Sequence, residues 1–168
     1  MRNHATHRPH ARNHTITRFR AAAGARYREA EALQLHADGY RLGAIYLFGY
    51  SAEMLLKAAY FRVRGFAANA TITLQHLVDA RQQARSAGLV WTGNLHDLSG
   101  WARLLTHERE TRGSPYTSRY GNQLLSQVNS ISQHWREWLR YHDMTPYAGE
   151  VVTVRSAATW LFTQYPHM

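Results

Sequence analysis

The chain has 168 residues, 45% of them hydrophobic, no cysteine and a formal net charge of +9, which suits one globular domain with a substantial core and excludes disulfides and thiolate chemistry. No apolar run reaches the roughly 18–20 residues of a membrane span without interruption by a charged or polar group. Arg2, Arg8 and Arg12 lead into no apolar segment or cleavage site, so no secretory signal is expected and a soluble cytoplasmic protein is the default reading.

The positive charge is concentrated at the start. Seven arginines (Arg2, Arg8, Arg12, Arg18, Arg20, Arg26 and Arg28) precede the first acid, Glu29, whereas the remainder is close to balanced. Residues 1–15 lack periodicity and read as a flexible basic arm, able to attract polyanions by counterion release without selecting a sequence. The arm carries His4, His7, His10 and His14. Imidazole is a common metal ligand, but the flanking arginines repel cations and no carboxylate is near, so no metal site is expected.

Residues 16–168 read as one helical domain. Phe19, Ala23, Tyr27, Ala30, Leu33 and Ala37 return every three or four residues, predicting a helix over 16–37 with Gly39 as its stop. After a short link, Gly43 to Phe66 is apolar on every face, so this helix must be enclosed on several sides; Gly65 ends it. Helix three starts after Thr71 or Thr73 and runs to Gly88. Asn94 followed by Asp97 has capping-box spacing and predicts a helix of Leu95, Leu98, Trp101, Leu104 and Leu105. Gly113 and Pro115 mark an exit and a new first turn. Leu124, Val128, Ile131, Trp135, Trp138 and Leu139 predict an amphipathic helix ending near Tyr141. A turn over 143–146 then leads to a last helix carrying Val151, Val154, Ala158, Leu161, Phe162 and Tyr165. No strand alternation is evident, and the expectation is an all-α antiparallel bundle of about five to six helices.

The candidate chemistry lies in polar groups on these apolar helices. There is no glycine-rich phosphate loop, H-E-x-x-H or G-x-S-x-G elbow, and nothing calls for a cofactor. Glu53 and Lys57, the only lysine, stand one turn apart in the favourable acid-before-base order. They can neutralise each other or meet Arg140 as architecture, or they can form a polar pocket. His76 and His96 are expected at helix starts, where the dipole disfavours imidazolium. Arg140 and Tyr141, following Trp135 and Trp138, combine a fixed cation with a stacking ring suited to phosphate, to a base or to an ion pair.

The string from Tyr46 to Ala58 resembles the Y-L-x-G-Y-x-x-E-x-x-L-K-A helix of one bacterial branch of HEPN domains. His96-Asp97-Leu98 is similar to that branch's H-x-L segment, and Trp138-Leu139-Arg140-Tyr141 to its W-to-R-Y ending. The resemblance implies a helical bundle, commonly a homodimer, found in toxin–antitoxin and defence systems and often encoded beside a minimal nucleotidyltransferase partner. Many such proteins are metal-independent ribonucleases using R-x4-6-H. Here Arg2 to His7 and Arg8 to His14 have that spacing in the arm, where a defined geometry is lacking. The leading expectation is a non-catalytic or degenerate HEPN-like protein that binds a nucleotide, RNA or a protein partner through Glu53, Lys57, His96, Asp97, Arg140 and Tyr141. One alternative is a ribonuclease with a rearranged pair, Arg103 with His107 or Arg140 with His142. Another is a helical interaction module with nonspecific nucleic-acid affinity.

Overall fold

A computed structural model of the chain describes residues 14–36, 38–92, 94–136, 139, 141 and 145–168. Among them are six α-helices and no strand: α1 (Ile16–His36), α2 (Arg41–Val63), α3 (Leu74–Ser86), α4 (Leu98–Thr111), α5 (Ser118–His134) and α6 (Ala148–Gln164). Single 3-10 turns follow α1 (Asp38–Tyr40) and α6 (Tyr165–His167). No helix among the described residues is long and apolar enough to cross a membrane. The all-α expectation is met.

The central position of α2 follows from its composition. Fourteen of its residues are buried, from Ala44 through Phe61 and on every side of the helix, because α1, α4 and α6 all pack against it, while α5 spans α4 and α6. Small residues let α1 come close: Ala23, Ala30, Ala44 and Ala52 are all buried in one core, and the Ser51 hydroxyl donates to the Ala23 carbonyl at 3.0 Å. That bond satisfies a hydroxyl that would be costly to bury unpaired. Tyr27 reaches across to α6, meeting Thr159 at 2.7 Å, and Arg155 forks onto Glu31 at 2.6 and 3.0 Å. Trp101 on α4 is fully buried, donating from its indole nitrogen to the Leu95 carbonyl at 2.9 Å and packing edge-on against Tyr60 and Trp91.

Helix ends show where local sequence rules held and where they gave way. Gly65, with φ +86°, closes α2 in the left-handed conformation that glycine adopts without strain. Thr73, not Thr71, caps α3, and His76 completes an unusual capping box, its Nδ1 accepting from the Thr73 amide at 3.0 Å. Three expectations require correction. Asn94 does not start α4: it accepts from the His96 amide at 2.9 Å as a turn, and Asp97 is the cap, taking the Gly100 amide at 2.8 Å. The helix therefore begins at Leu98, and His96 lies in the approach rather than at a helix start. Pro115 precedes α5 without entering its first turn, because Thr117 provides the cap. Finally, α5 stops at His134 instead of running to Tyr141, since Trp135 turns to an extended conformation (φ −107°, ψ 133°). Its indole lies over Gly49 and donates to the Tyr46 carbonyl at 3.0 Å. Tertiary packing on α2 thus overrides helix propagation.

Candidate functional site

Glu53 and Lys57 sit on α2 where α1, the start of α3 and the approach to α4 leave a cavity of about 580 Å³. Phe19, Ala22, Met54, Leu74, Leu77 and Leu95 supply apolar wall; Tyr50, His96, Arg18 and His14 border it. Glu53 is 3% exposed and Lys57 5%, a burial that two separated ions would not tolerate. Their pairing resolves it: the Lys57 ammonium donates to Glu53 Oε1, and His96 Nδ1 lies 2.9 Å from Oε2. Burial pushes the Glu53 carboxyl upward, but Lys57 and His96 together outweigh that and hold it below the usual carboxylate range. A carboxylate only accepts, so the proton of the His96 contact resides on Nδ1. Lys57 also sits 5.4 Å from the centre of the Trp101 ring, within cation–π range. Tyr50 stacks beside His96 with centroids 6.5 Å apart.

The approach to α4 is what delivers His96. Both oxygens of Asp97 are engaged there, Oδ2 by the Thr92 amide and hydroxyl at 2.5 and 2.7 Å and Oδ1 by Gly100. Trp91 donates to the Asn94 carbonyl at 2.6 Å and packs on Gly100. Asp97 is thus a positioning residue, holding the segment that carries His96, and its oxygens are not offered to the cavity.

The structure brings together Glu53, Lys57 and His96, with Asp97 behind them. Tyr141 is exposed and lies outside the lining of this cavity. Arg140 and His142 lie outside the described residues, as do Trp138, Glu137 and residues 1–13. Arg103 borders a different cavity, and His107, one turn further along α4, is not part of that lining. His14, assigned to the arm by sequence, pairs its carbonyl with the Ile72 amide at 2.7 Å and stacks on Phe19. Among the described residues no cluster of His, Asp or Glu could hold a metal ion.

Sequence reasoning missed two features. The first is the apolar wall from α1 and α3, residues with no chemical signature of their own. The second is a polar network around Glu108, which is 3% exposed. Its carboxylate accepts from Arg112 Nε at 2.6 Å, Gln83 Nε2 at 2.8 Å and Arg64 Nη1 at 3.4 Å, while the Tyr60 hydroxyl donates to Gln83 Oε1 at 2.9 Å. Burial pushes Glu108 upward, but the bonds from Arg112 and Gln83 leave it below the usual range. The i,i+4 spacing of Glu108 and Arg112 was the signal available. This network ties α2, α3 and α4 together, and its Tyr60, Arg64 and Gln83 border a cavity of about 360 Å³.

Comparison with protein-family models, curated proteins and solved structures finds no match to this chain.

Proposed function

We propose that the protein is a non-catalytic HEPN-like module that binds a nucleotide in the cavity above Glu53, Lys57 and His96. One observation carries the reading: a charged, hydrogen-bonded group forms the floor of an otherwise apolar cavity of about 580 Å³. That volume and mixture match small-molecule sites, which run to a few hundred cubic ångströms with a small number of placed polar groups. A purine or pyrimidine would bury its faces against Phe19, Met54 and Leu77 and exchange hydrogen bonds with the floor, leaving its phosphates toward Arg18. The HEPN resemblance, and with it a role in a bacterial toxin–antitoxin or defence system, a homodimer and a nucleotidyltransferase partner, rests on the motifs from Tyr46 to Ala58 and around His96.

The ribonuclease alternative requires a base and a cation converging on one phosphate. Arg103 borders a cavity whose lining does not include His107; Arg136 and His142 stand at R-x5-H spacing, and His142, like Arg140, lies outside the described residues. Calorimetric titration with adenine and guanine nucleotides tests the reading. Wild-type protein should bind at least one, and Glu53→Gln should weaken it by about tenfold or more, the scale of one charged hydrogen bond. Unchanged affinity in a folded Glu53→Gln protein, or no binding by wild type, would sink it; metal-independent cleavage of RNA would reinstate the nuclease.

A further inference from the structure

A second cavity, of about 340 Å³, lies between the approach to α4 and the end of α5, on the other side of His96. Its chemistry differs from the first. Arg103 and Arg136 border it together with the hydroxyl-bearing Thr92, Ser99 and Ser132. Several other arginines are matched with acids, Arg26 with Glu29, Arg155 with Glu31, and Arg64 and Arg112 with Glu108, while Arg62 and Arg109 meet backbone carbonyls. Arg103 and Arg136 make no salt bridge among the described residues. Arg103 donates to the Val90 carbonyl at 3.4 Å and the exposed Arg136 to the carbonyl of its neighbour Trp135 at 2.7 Å, contacts that leave both positive charges unneutralised. The acid in the lining, Asp97, has both oxygens occupied by Thr92 and Gly100. The Thr92 hydroxyl donates to Asp97 and that of Ser99 to Asn129 Oδ1 at 3.4 Å; two guanidiniums with the Ser132 hydroxyl beside them in a concave site are complementary to a tetrahedral oxyanion.

We propose that this cavity binds a terminal phosphate group, clasped between Arg103 and Arg136 with Ser132 as a hydroxyl donor. Two cations suit the dianion of a free phosphate or monoester better than the single charge of a diester. The site shares only His96 with the nucleotide cavity, and its probe is inorganic phosphate alone, so either proposal can fail without the other.

The test is titration of full-length protein at low ionic strength with inorganic phosphate, followed by calorimetry and by backbone amide shifts. Saturable binding is expected, with shifts at Ser99, Thr92 and Ser132. Arg103→Gln and Arg136→Gln should each weaken it by about tenfold, whereas Arg119→Gln, the same charge change at an exposed site on α5, should leave it within twofold. Dimethyl phosphate should bind more weakly than phosphate. Absence of saturation, shifts confined to other parts of the bundle, equal loss in Arg119→Gln, or preference for the diester would overturn the assignment. The wild-type shift map decides the matter even if an arginine variant does not fold.

Discussion

The indole of Trp135 lies directly on the α-carbon of Gly49: a methyl group built there would stand 2.1 Å from Cδ1 and Cγ of the ring. Glycine in mid-helix ordinarily costs about 0.5–1 kcal/mol relative to alanine. Here the side chain it lacks is the space the indole occupies, and the Trp135 bond to the Tyr46 carbonyl fixes the ring over it. Gly49→Ala should therefore destabilise by about 1–3 kcal/mol, the overpacking cost outweighing the gain in helix propensity. Thermal unfolding followed by tryptophan fluorescence checks this; a rise in Tm would show that the ring is not held there.

Removing one member of the Glu53–Lys57 pair leaves a buried ion unmatched. Lys57→Met should cost about 3–5 kcal/mol. The double variant Glu53→Leu with Lys57→Met should recover most of that loss, because two apolar side chains also abolish the desolvation penalty. Urea unfolding of the two singles and the double gives the coupling; additive losses would mean that the ions are not paired in solution.

Acid should weaken the fold through identified groups. Glu53 and Glu108 are both held below the usual carboxylate range, so the stability they contribute is fully present above the unfolded carboxyl pKa of about 4.3 and is lost as pH falls through their lower folded values. The urea midpoint should fall on acidification from pH 6 toward 3, and more shallowly in Glu108→Gln than in wild type. Parallel profiles in the two proteins would contradict the assignment.

The Gln83 amide joins Tyr60 to Glu108, donating to one and accepting from the other. Gln83→Leu leaves the Tyr60 hydroxyl without its acceptor and takes one donor from Glu108, which keeps Arg112 and Arg64, and should cost about 1–3 kcal/mol. Tyr60→Phe, which removes only the outer donor, should cost less. Equal losses would indicate that Gln83 acts through packing alone.

The fold class and most helices were legible because Phe19, Ala23 and Ala30, or Leu124, Val128 and Ile131, repeat at the helical period and are in fact buried. Lys57 and Glu53 were legible for a different reason: ions on an all-round apolar helix have to find one another. The errors lie where distant residues decide a local outcome. Nothing near Trp135 in the chain announces that α5 must stop there, since the cause is a glycine on another helix. Asn94 and Asp97 both satisfy cap rules in sequence, and only the Thr92 and Gly100 donors around Asp97 choose between them. The cavity wall was invisible in the same way, because Phe19, Leu77 and Leu95 look like ordinary core residues until the elements carrying them stop short of contact.

The burial of Lys57 reaches beyond its partner. It is the chain's only lysine and is 5% exposed, so every basic side chain on the outside other than histidine is a guanidinium. Acetylation, ubiquitin transfer and amine-directed crosslinkers consequently find no accessible lysine side chain on the native protein. Reaction of Lys57 with an amine reagent too large for the cavity it lines would report opening of the bundle around α2, a built-in chemical gauge of the core.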